Sequence, residues 1–203
     1  SERLLSPYRR LRYVIPAVLV FMLVAVLGGF TIRRNVDYRS EIVMARDVVA
    51  KRPHNYRAHS GLGFALQQEG QLMEAIVHYA EALHLKPDYA EAHLNLGTAL
   101  AEQQKLTEAI AELTEALRLK PDYAEAHNNL GAVLAEHQKF TEAIAELTEA
   151  LRLKPDFVDA HYNLGVVFQR QGRIAEAKAH YAEALRLIPD FADAEKALRA
   201  LVR

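Results

Sequence analysis

The chain has 203 residues, with 25 Lys+Arg against 26 Asp+Glu, and neither cysteine nor tryptophan. The balanced charge excludes a strongly basic nucleic-acid binder, because affinity for a phosphate backbone comes from clustered positive charge. The missing cysteines exclude disulfides, Cys-ligated zinc, iron–sulfur clusters and thiol nucleophiles, and leave the redox compartment open.

The first element is apolar. From Tyr13 to Ile32 there are 20 residues without a charge, closed by Arg12 on one side and Arg33-Arg34 on the other. At about 1.5 Å per residue, a helix of that length is roughly 30 Å long, the thickness of a bilayer core. Pro16 falls in the first turn, where a missing N–H is tolerated. Tyr13 and Phe30 fall near the two interfaces, where aromatic rings anchor. The run is too long for a signal peptide and has no A-x-A site. It also has no polar face to match a buried core helix. The expectation is a flank over 1–12 and an uncleaved transmembrane helix over 13–34. Arg3, Arg9, Arg10 and Arg12 precede it, and Arg33, Arg34, Arg39, Arg46, Lys51 and Arg52 follow. These flanks nearly balance, so charge does not set the orientation.

Residues 35–55 come next. Tyr38, Ile42, Ala45 and Val49 draw one stripe on a helix that ends before Pro53. No Gly/Ser-rich or Pro-rich tether separates this helix from the apolar run.

Beyond it the chain repeats itself. Pro53, Pro87, Pro121, Pro155 and Pro189 recur every 34 residues, as do Gly63, Gly97, Gly131 and Gly165, and Ala75, Ala109, Ala143 and Ala177. Segments 87–120 and 121–154 differ at only five positions, which marks a recent duplication. Each unit reads as two helices. In the unit from Ala90, His93, Leu96, Gly97 and Leu100 form the stripe of the first helix; Leu106, Ala109, Ile110, Leu113, Ala116 and Leu117 form that of the second. A turn at Gln104-Lys105 separates them, and Pro121 ends the second. Gly97 and Ala109 are small enough for two helix backbones to approach closely. One pair cannot bury its stripe alone, so neighbours must stack into a solenoid.

The pattern A-x-H-x-N-L-G-x-x-L followed by A-I-x-x-L/Y-x-x-A-L-x-L-x-P, at period 34, resembles the tetratricopeptide repeat (TPR) family. The resemblance implies an all-α fold: one transmembrane helix, then a right-handed solenoid of helix pairs. Four repeats are expected at 56–89, 90–123, 124–157 and 158–191, with a capping helix over 192–203. The segment 35–55 aligns one period earlier as a degenerate repeat, with Glu41 where a small alanine belongs. The family often has Trp at the fourth motif position; this chain has His59, His93, His127 and His161.

Nine histidines raise a metal hypothesis. The four repeated ones stand on successive units about 8–10 Å apart. They cannot share one zinc with bonds of about 2 Å. They are read as half-buried packing residues, and His78, His84, His137 and His180 as solvated. Carboxylate pairs such as Glu108 and Glu112 read as solvated helix faces. No P-loop, G-x-S-x-G, H-E-x-x-H or dinucleotide fingerprint is present. The expectation is therefore no catalytic residue, no cofactor and no metal.

In the TPR family the first helix of each pair faces the concave groove. Carried over by position, Asn95, Asn129 and Asn163, with Gly61 in the first unit, form a ladder along it. It resembles the ladder in the TPR superhelix of O-linked N-acetylglucosamine transferases, where amides hold an extended peptide backbone. An amide offers both a donor and an acceptor to successive peptide groups. Thr98, Asn128 and Tyr162 are counted with the ladder as partner-binding residues. Glu91, Glu125, Asp159, Glu102 and Glu136 make the central groove acidic, with Arg57 and Arg170 toward its ends. Such a groove favours neutral or basic segments. Ser60 and Phe64 stand where chaperone-binding TPRs place clamp residues, so an acidic chaperone tail is not the expected ligand.

The expected function is a membrane-anchored TPR adaptor or scaffold. It binds a protein or extended peptide, as a non-catalytic subunit of a membrane complex, with no nucleic-acid and no small-molecule substrate. Its expected place is the bacterial inner membrane, with the repeats in the periplasm. An alternative comes from the junction of residues 31–63, which loosely resembles that of multi-pass membrane glycosyltransferases with carboxy-terminal TPRs. In that case the catalytic residues lie upstream.

Overall fold

A computed structural model describes residues 41–201. The transmembrane expectation for Tyr13–Ile32 lies outside the described residues, as does the part of the following helix before residue 41. Among the described residues no helix is long and apolar enough to cross a membrane. The chain divides into two compact units, Ser1–Val48 and Val49–Arg203.

Every regular element among the described residues is a helix. Helix α1 spans Glu41–Lys51 and has no buried residue. Ile42, Ala45 and Val49 of its expected stripe are half-buried, while Val43, Met44 and Val48 are exposed. Helices α2 (Tyr56–Gln68) and α3 (Leu72–Leu85) form the first pair, and α4 (Ala90–Glu102) and α5 (Leu106–Leu119) the second. Helices α6 (Ala124–Glu136) and α7 (Phe140–Leu153) form the third, and α8 (Val158–Arg170) and α9 (Ile174–Leu187) the fourth. Helix α10 (Ala192–Ala200) follows. The start of α2 has a side-chain cap: Asn55 Oδ1 accepts from the N–H groups of Arg57 and Ala58 at 3.0 and 3.3 Å. The next three first helices begin after an aromatic residue, Tyr89, Tyr123 or Phe157.

Each first helix packs against its own second helix, and each second helix against the next first helix. Successive first helices also touch one another. They therefore lie side by side and form the inner face of the array, as ridge-into-groove stacking of near-identical units requires.

The core runs between the helices of each pair. Ala75, Ala109, Ala143 and Ala177 are fully buried, and so are Tyr79, Leu113, Leu147 and Tyr181 one turn on. The repeated glycines decide how close the pairs come. A Cβ on Gly97 would sit 2.7 Å from Leu113 Cγ and 3.2 Å from the Ala109 carbonyl; on Gly131 it would sit 2.6 Å from Leu147 Cγ. No side chain fits there, which accounts for the glycine in every unit.

The two outer repeats differ from the two inner ones in a correlated way. Repeats one and four place Tyr79 and Tyr181 over the glycine, and the hydroxyls donate to Gln67 and Gln169 at 2.8 and 2.7 Å. The inner repeats have Leu113 and Leu147 there, with Ala101 and Ala135 in place of the glutamines. The turn between helices also splits this way. Gly70 and Gly172 take φ of 73° and 74°, while Gln104 and Gln138 take the same left-handed backbone at 61° and 63°.

Candidate functional site

The inner face carries the candidate site, because each first helix presents one set of positions there at period 34. The amides bond to one another across repeats. Asn163 Nδ2 donates to Asn128 Oδ1 at 3.0 Å, and Asn128 Nδ2 donates to Asn129 Oδ1 at 3.1 Å. Asn129 Nδ2 then donates to Thr98 Oγ1 at 3.0 Å, and Thr98 donates to the Leu94 carbonyl at 2.8 Å. Four of the expected partner-binding residues thus form one directional tape over three repeats. Asn128 is buried, and Thr98, Asn129 and Asn163 are half-buried. Asn128 stands where the other units have Ser60, Leu94 and Tyr162, so the tape is not a simple ladder of one position.

Two hollows open beside it. One, of about 240 Å³, is lined by Thr98, Ala101, Glu102, Gln104, Asn129, Ala132, Val133 and Glu136. The other, of about 310 Å³, is lined by Arg57, Ser60, Gly61, Phe64, Tyr89, Glu91, Asn95 and Tyr123. The first joins ladder residues to the acids Glu102 and Glu136. The second joins Asn95 and Glu91 to three aromatic rings, of which Phe64 is 46% exposed. The Tyr89 hydroxyl donates to Glu91 at 2.8 Å, and its pKa is pushed up to about 12 by burial and by that bond. Gln67 Nε2 donates to Glu102 at 2.6 Å, which ties Glu102 through Gln67 to Tyr79.

The remaining expected residues lie apart. Glu125 and Asp159 are exposed and on the wall of neither hollow. Tyr162 packs against Tyr181 and Phe191, with ring centroids 5.8 and 5.3 Å away, toward the carboxy-terminal end. Arg170 donates to the Ala135 carbonyl at 3.2 Å. The sequence reading did not single out Tyr89 and Tyr123. They share a period-34 position with Phe157 and Phe191, which is a usable signal. Phe64 replaces Thr98, Ala132 and Val166 at its position, and that break in the repeat marks the aromatic hollow.

The repeated histidines correct two expectations. In every repeat Nε2 donates to the carbonyl of the proline six residues earlier: His59 to Pro53, His93 to Pro87, His127 to Pro121 and His161 to Pro155, at 2.9–3.1 Å. Nδ1 meets the residue 19 positions on. In the inner repeats that residue is Glu112 or Glu146, at 2.7 Å from His93 and His127. Glu112 is therefore not a freely solvated carboxylate. In the outer repeats the residue is His78 or His180, at 3.1 and 3.2 Å from His59 and His161. Both partners are half-buried rather than solvated, whereas His84 and His137 are exposed as expected. The reason is the column at 78, 112, 146 and 180, read from single residues as surface but placed by the helix pairing opposite the histidine. Among the described residues no group of three or more His, Asp or Glu side chains forms a metal cage.

The family model described as TPR repeat matches residues 63–104, 97–138 and 132–172, and that described as Tetratricopeptide repeat matches 158–191. These matches span more than half of the chain, and the protein belongs to the tetratricopeptide repeat family. The crystal structure of MamA is similar at 26% identity and a TM-score of 0.66, over 76% of this chain and 91% of that one. YrrB, described as a TPR protein with an unusual peptide-binding site, is 20% identical with a TM-score of 0.65, over 87% of both chains. The first TPR of Spaghetti (RPAP3), solved bound to the HSP90 peptide SRMEEVD, is 24% identical with a TM-score of 0.54, over 56% of this chain and 90% of that one. Among curated proteins none matches the chain.

Proposed function

We propose that this protein is a membrane-anchored TPR scaffold that holds an extended segment of a partner protein along the inner face of α2, α4, α6 and α8. The observation that carries this reading is the amide and hydroxyl tape from Asn163 to Thr98, with a hollow at its amino-terminal end and a second, aromatic one beyond it. An extended chain repeats its donors and acceptors every two residues, and a tape of amides can exchange its own bonds for those of a peptide. The hollows are sized for side chains, and they alternate with polar groups that set orientation. Peptide binding in the neighbours YrrB and Spaghetti supports a groove ligand.

Glu102 and Glu136 give the first hollow a negative lining, while Arg57 offsets Glu91 in the second, so the preferred segment is neutral or basic, unlike SRMEEVD. The anchor rests on the uncharged run Tyr13–Ile32 and the bilayer length it matches. In this reading the partner is held near a membrane, with no chemistry performed on it.

The test uses labelled extended peptides in basic, neutral and acidic sets, read by fluorescence anisotropy against the full chain in mild detergent. Basic and neutral peptides should bind. Replacing Asn95, Asn129 and Asn163 with Ala should weaken them by about tenfold or more, a loss of roughly 1.4 kcal/mol, with helix content unchanged by circular dichroism. Equal affinity in wild type and the triple variant would remove these three amides from recognition.

A further inference from the structure

The histidine pairs of the outer repeats are hydrogen-bonded nitrogen to nitrogen, at a spacing that also suits two ligands of one cation. His59 Nδ1 lies 3.1 Å from His78 Nδ1, and His161 Nδ1 lies 3.2 Å from His180 Nδ1. Two nitrogens bound to one cation at about 2.0–2.1 Å, with an angle near 100° between them, are about 3.1 Å apart. The tautomer is also set. A backbone carbonyl can only accept, so the Nε2 of His59 and of His161 carries the proton given to Pro53 and Pro155. In the neutral ring this leaves the Nδ1 lone pair facing its partner histidine. Metal-ligating histidines typically donate their other nitrogen to a carbonyl in this way, which orients the ring. His180 is held as well: Phe168 stacks on it, with centroids 5.4 Å apart and planes 18° apart. Both pairs stand on rigid helices, α2 with α3 and α8 with α9, in two repeats that share the feature independently.

We propose that His59 with His78, and His161 with His180, each bind one divalent transition-metal cation of the nickel, copper and zinc group. Imidazole nitrogens select these borderline metals over magnesium or calcium. The two imidazoles are the protein ligands assigned to each cation, and water serves at open positions. On binding, the ring proton between the two Nδ1 atoms moves through solvent to the Nε2 of His78 or His180, so each ligand is a neutral imidazole and each site takes up one cation. The inner repeats are the internal contrast. There the residue 2.7 Å from Nδ1 of His93 and His127 is a carboxylate, so each inner pair offers one imidazole where the outer pair offers two. The column His78, Glu112, Glu146, His180 thus divides the four repeats into two that bind metal and two that do not.

The experiment is calorimetric titration of the full chain in mild detergent with Ni2+, checked by the thermal unfolding midpoint. The wild type should take up two equivalents and unfold at a higher temperature with the metal, because the cation binds the folded state. His78→Gln should leave one equivalent, and His78→Gln with His180→Gln none. Replacing the exposed His84 and His137 with Gln should leave two. A gain-of-function variant guards against misfolding: Glu112→His with Glu146→His copies the outer pair into the inner repeats and should raise uptake to four. Wild-type uptake that survives the His78/His180 double variant, or no uptake by the wild type at tenfold excess of metal, overturns the proposal. Uptake still at two in the Glu112/Glu146 variant overturns it as well.

Discussion

At the scale of single residues, the repeated histidine does a different job from the tryptophan that the family often places there. It bridges two helices and the preceding proline carbonyl, so it fastens one repeat internally through hydrogen bonds rather than through area. In the inner repeats the acceptor is a carboxylate, and the bond of 2.7 Å from His93 to Glu112 is charge-assisted. Burial pulls the His93 pKa down from its ordinary 6.5, but the hydrogen bonds to Glu112 and to the Pro87 carbonyl outweigh burial and leave it raised. A raised folded-state value means that protonation favours the folded state. The contribution is fully present below the ordinary 6.5 and is lost as pH rises through the higher folded value. Comparing the unfolding midpoints of wild type and His93→Gln from acid to mildly alkaline pH should show a gap that is widest in acid and narrows as pH rises. A gap that stays constant would assign the role of His93 to packing. The exposed pairs Arg118–Glu115, Arg152–Glu149 and Arg186–Glu183 should be nearly neutral to substitution, because exposed ion pairs are worth little.

At the scale of elements, two backbone features limit the helix pairs. The first is close approach at glycine. Gly131→Ala places a Cβ against Leu147 Cγ and the Ala143 carbonyl, and the carbonyl cannot move without shifting α7. Overpacking of this kind costs about 1–3 kcal/mol, which denaturant unfolding should register as a lower midpoint. The second is the turn between helices. Gln104 and Gln138 adopt a left-handed backbone that the outer repeats assign to Gly70 and Gly172. A side chain there carries a steric cost that glycine lacks, partly offset by glycine's greater freedom when unfolded. Replacing both glutamines with Gly should therefore stabilise the array by about 1 kcal/mol or less per site. An unchanged or lower midpoint would show that the glutamine side chains contribute contacts of their own. Gln104 lines the smaller hollow, so the same variant reports whether that wall takes part in binding.

At the scale of the solenoid, stability comes from neighbours. Each pair is closed by the next, and α10 closes the last: it packs against α9, buries Ala194, and follows Phe191, whose ring lies against Tyr162. Ending the chain after Pro189 should expose the end of the fourth repeat, lower the unfolding midpoint and promote association, as expected when a capping element is lost. Retention of the wild-type midpoint by the truncated chain would show that α8 and α9 close the array by themselves. Binding belongs to this scale too, because the tape draws its atoms from α4, α6 and α8. Its salt dependence should be modest for neutral peptides and marked for basic ones, since Glu102 and Glu136 act through screened charge.

The sequence by itself determined the helix pairs, their period, the glycine contacts and the family. Each of these depends on local periodicity or on proline and glycine stereochemistry, and four near-copies repeat the signal. The expectation that Asn95, Asn129 and Asn163 face the groove came from the resemblance to the tetratricopeptide repeat family, in which the first helix of each pair lines it. Only the tertiary structure decided which side chains meet. Asn128 enters the tape because α8 lies beside α6 and brings Asn163 to it. Glu112 and His180, read one by one as surface residues, face a histidine from the other helix of their own pair. Phe64 and Tyr123, 59 positions apart, share one hollow. Periodicity places a residue on a face, but the partner across that face depends on helix separation and register, and these are set by packing between elements distant in the chain.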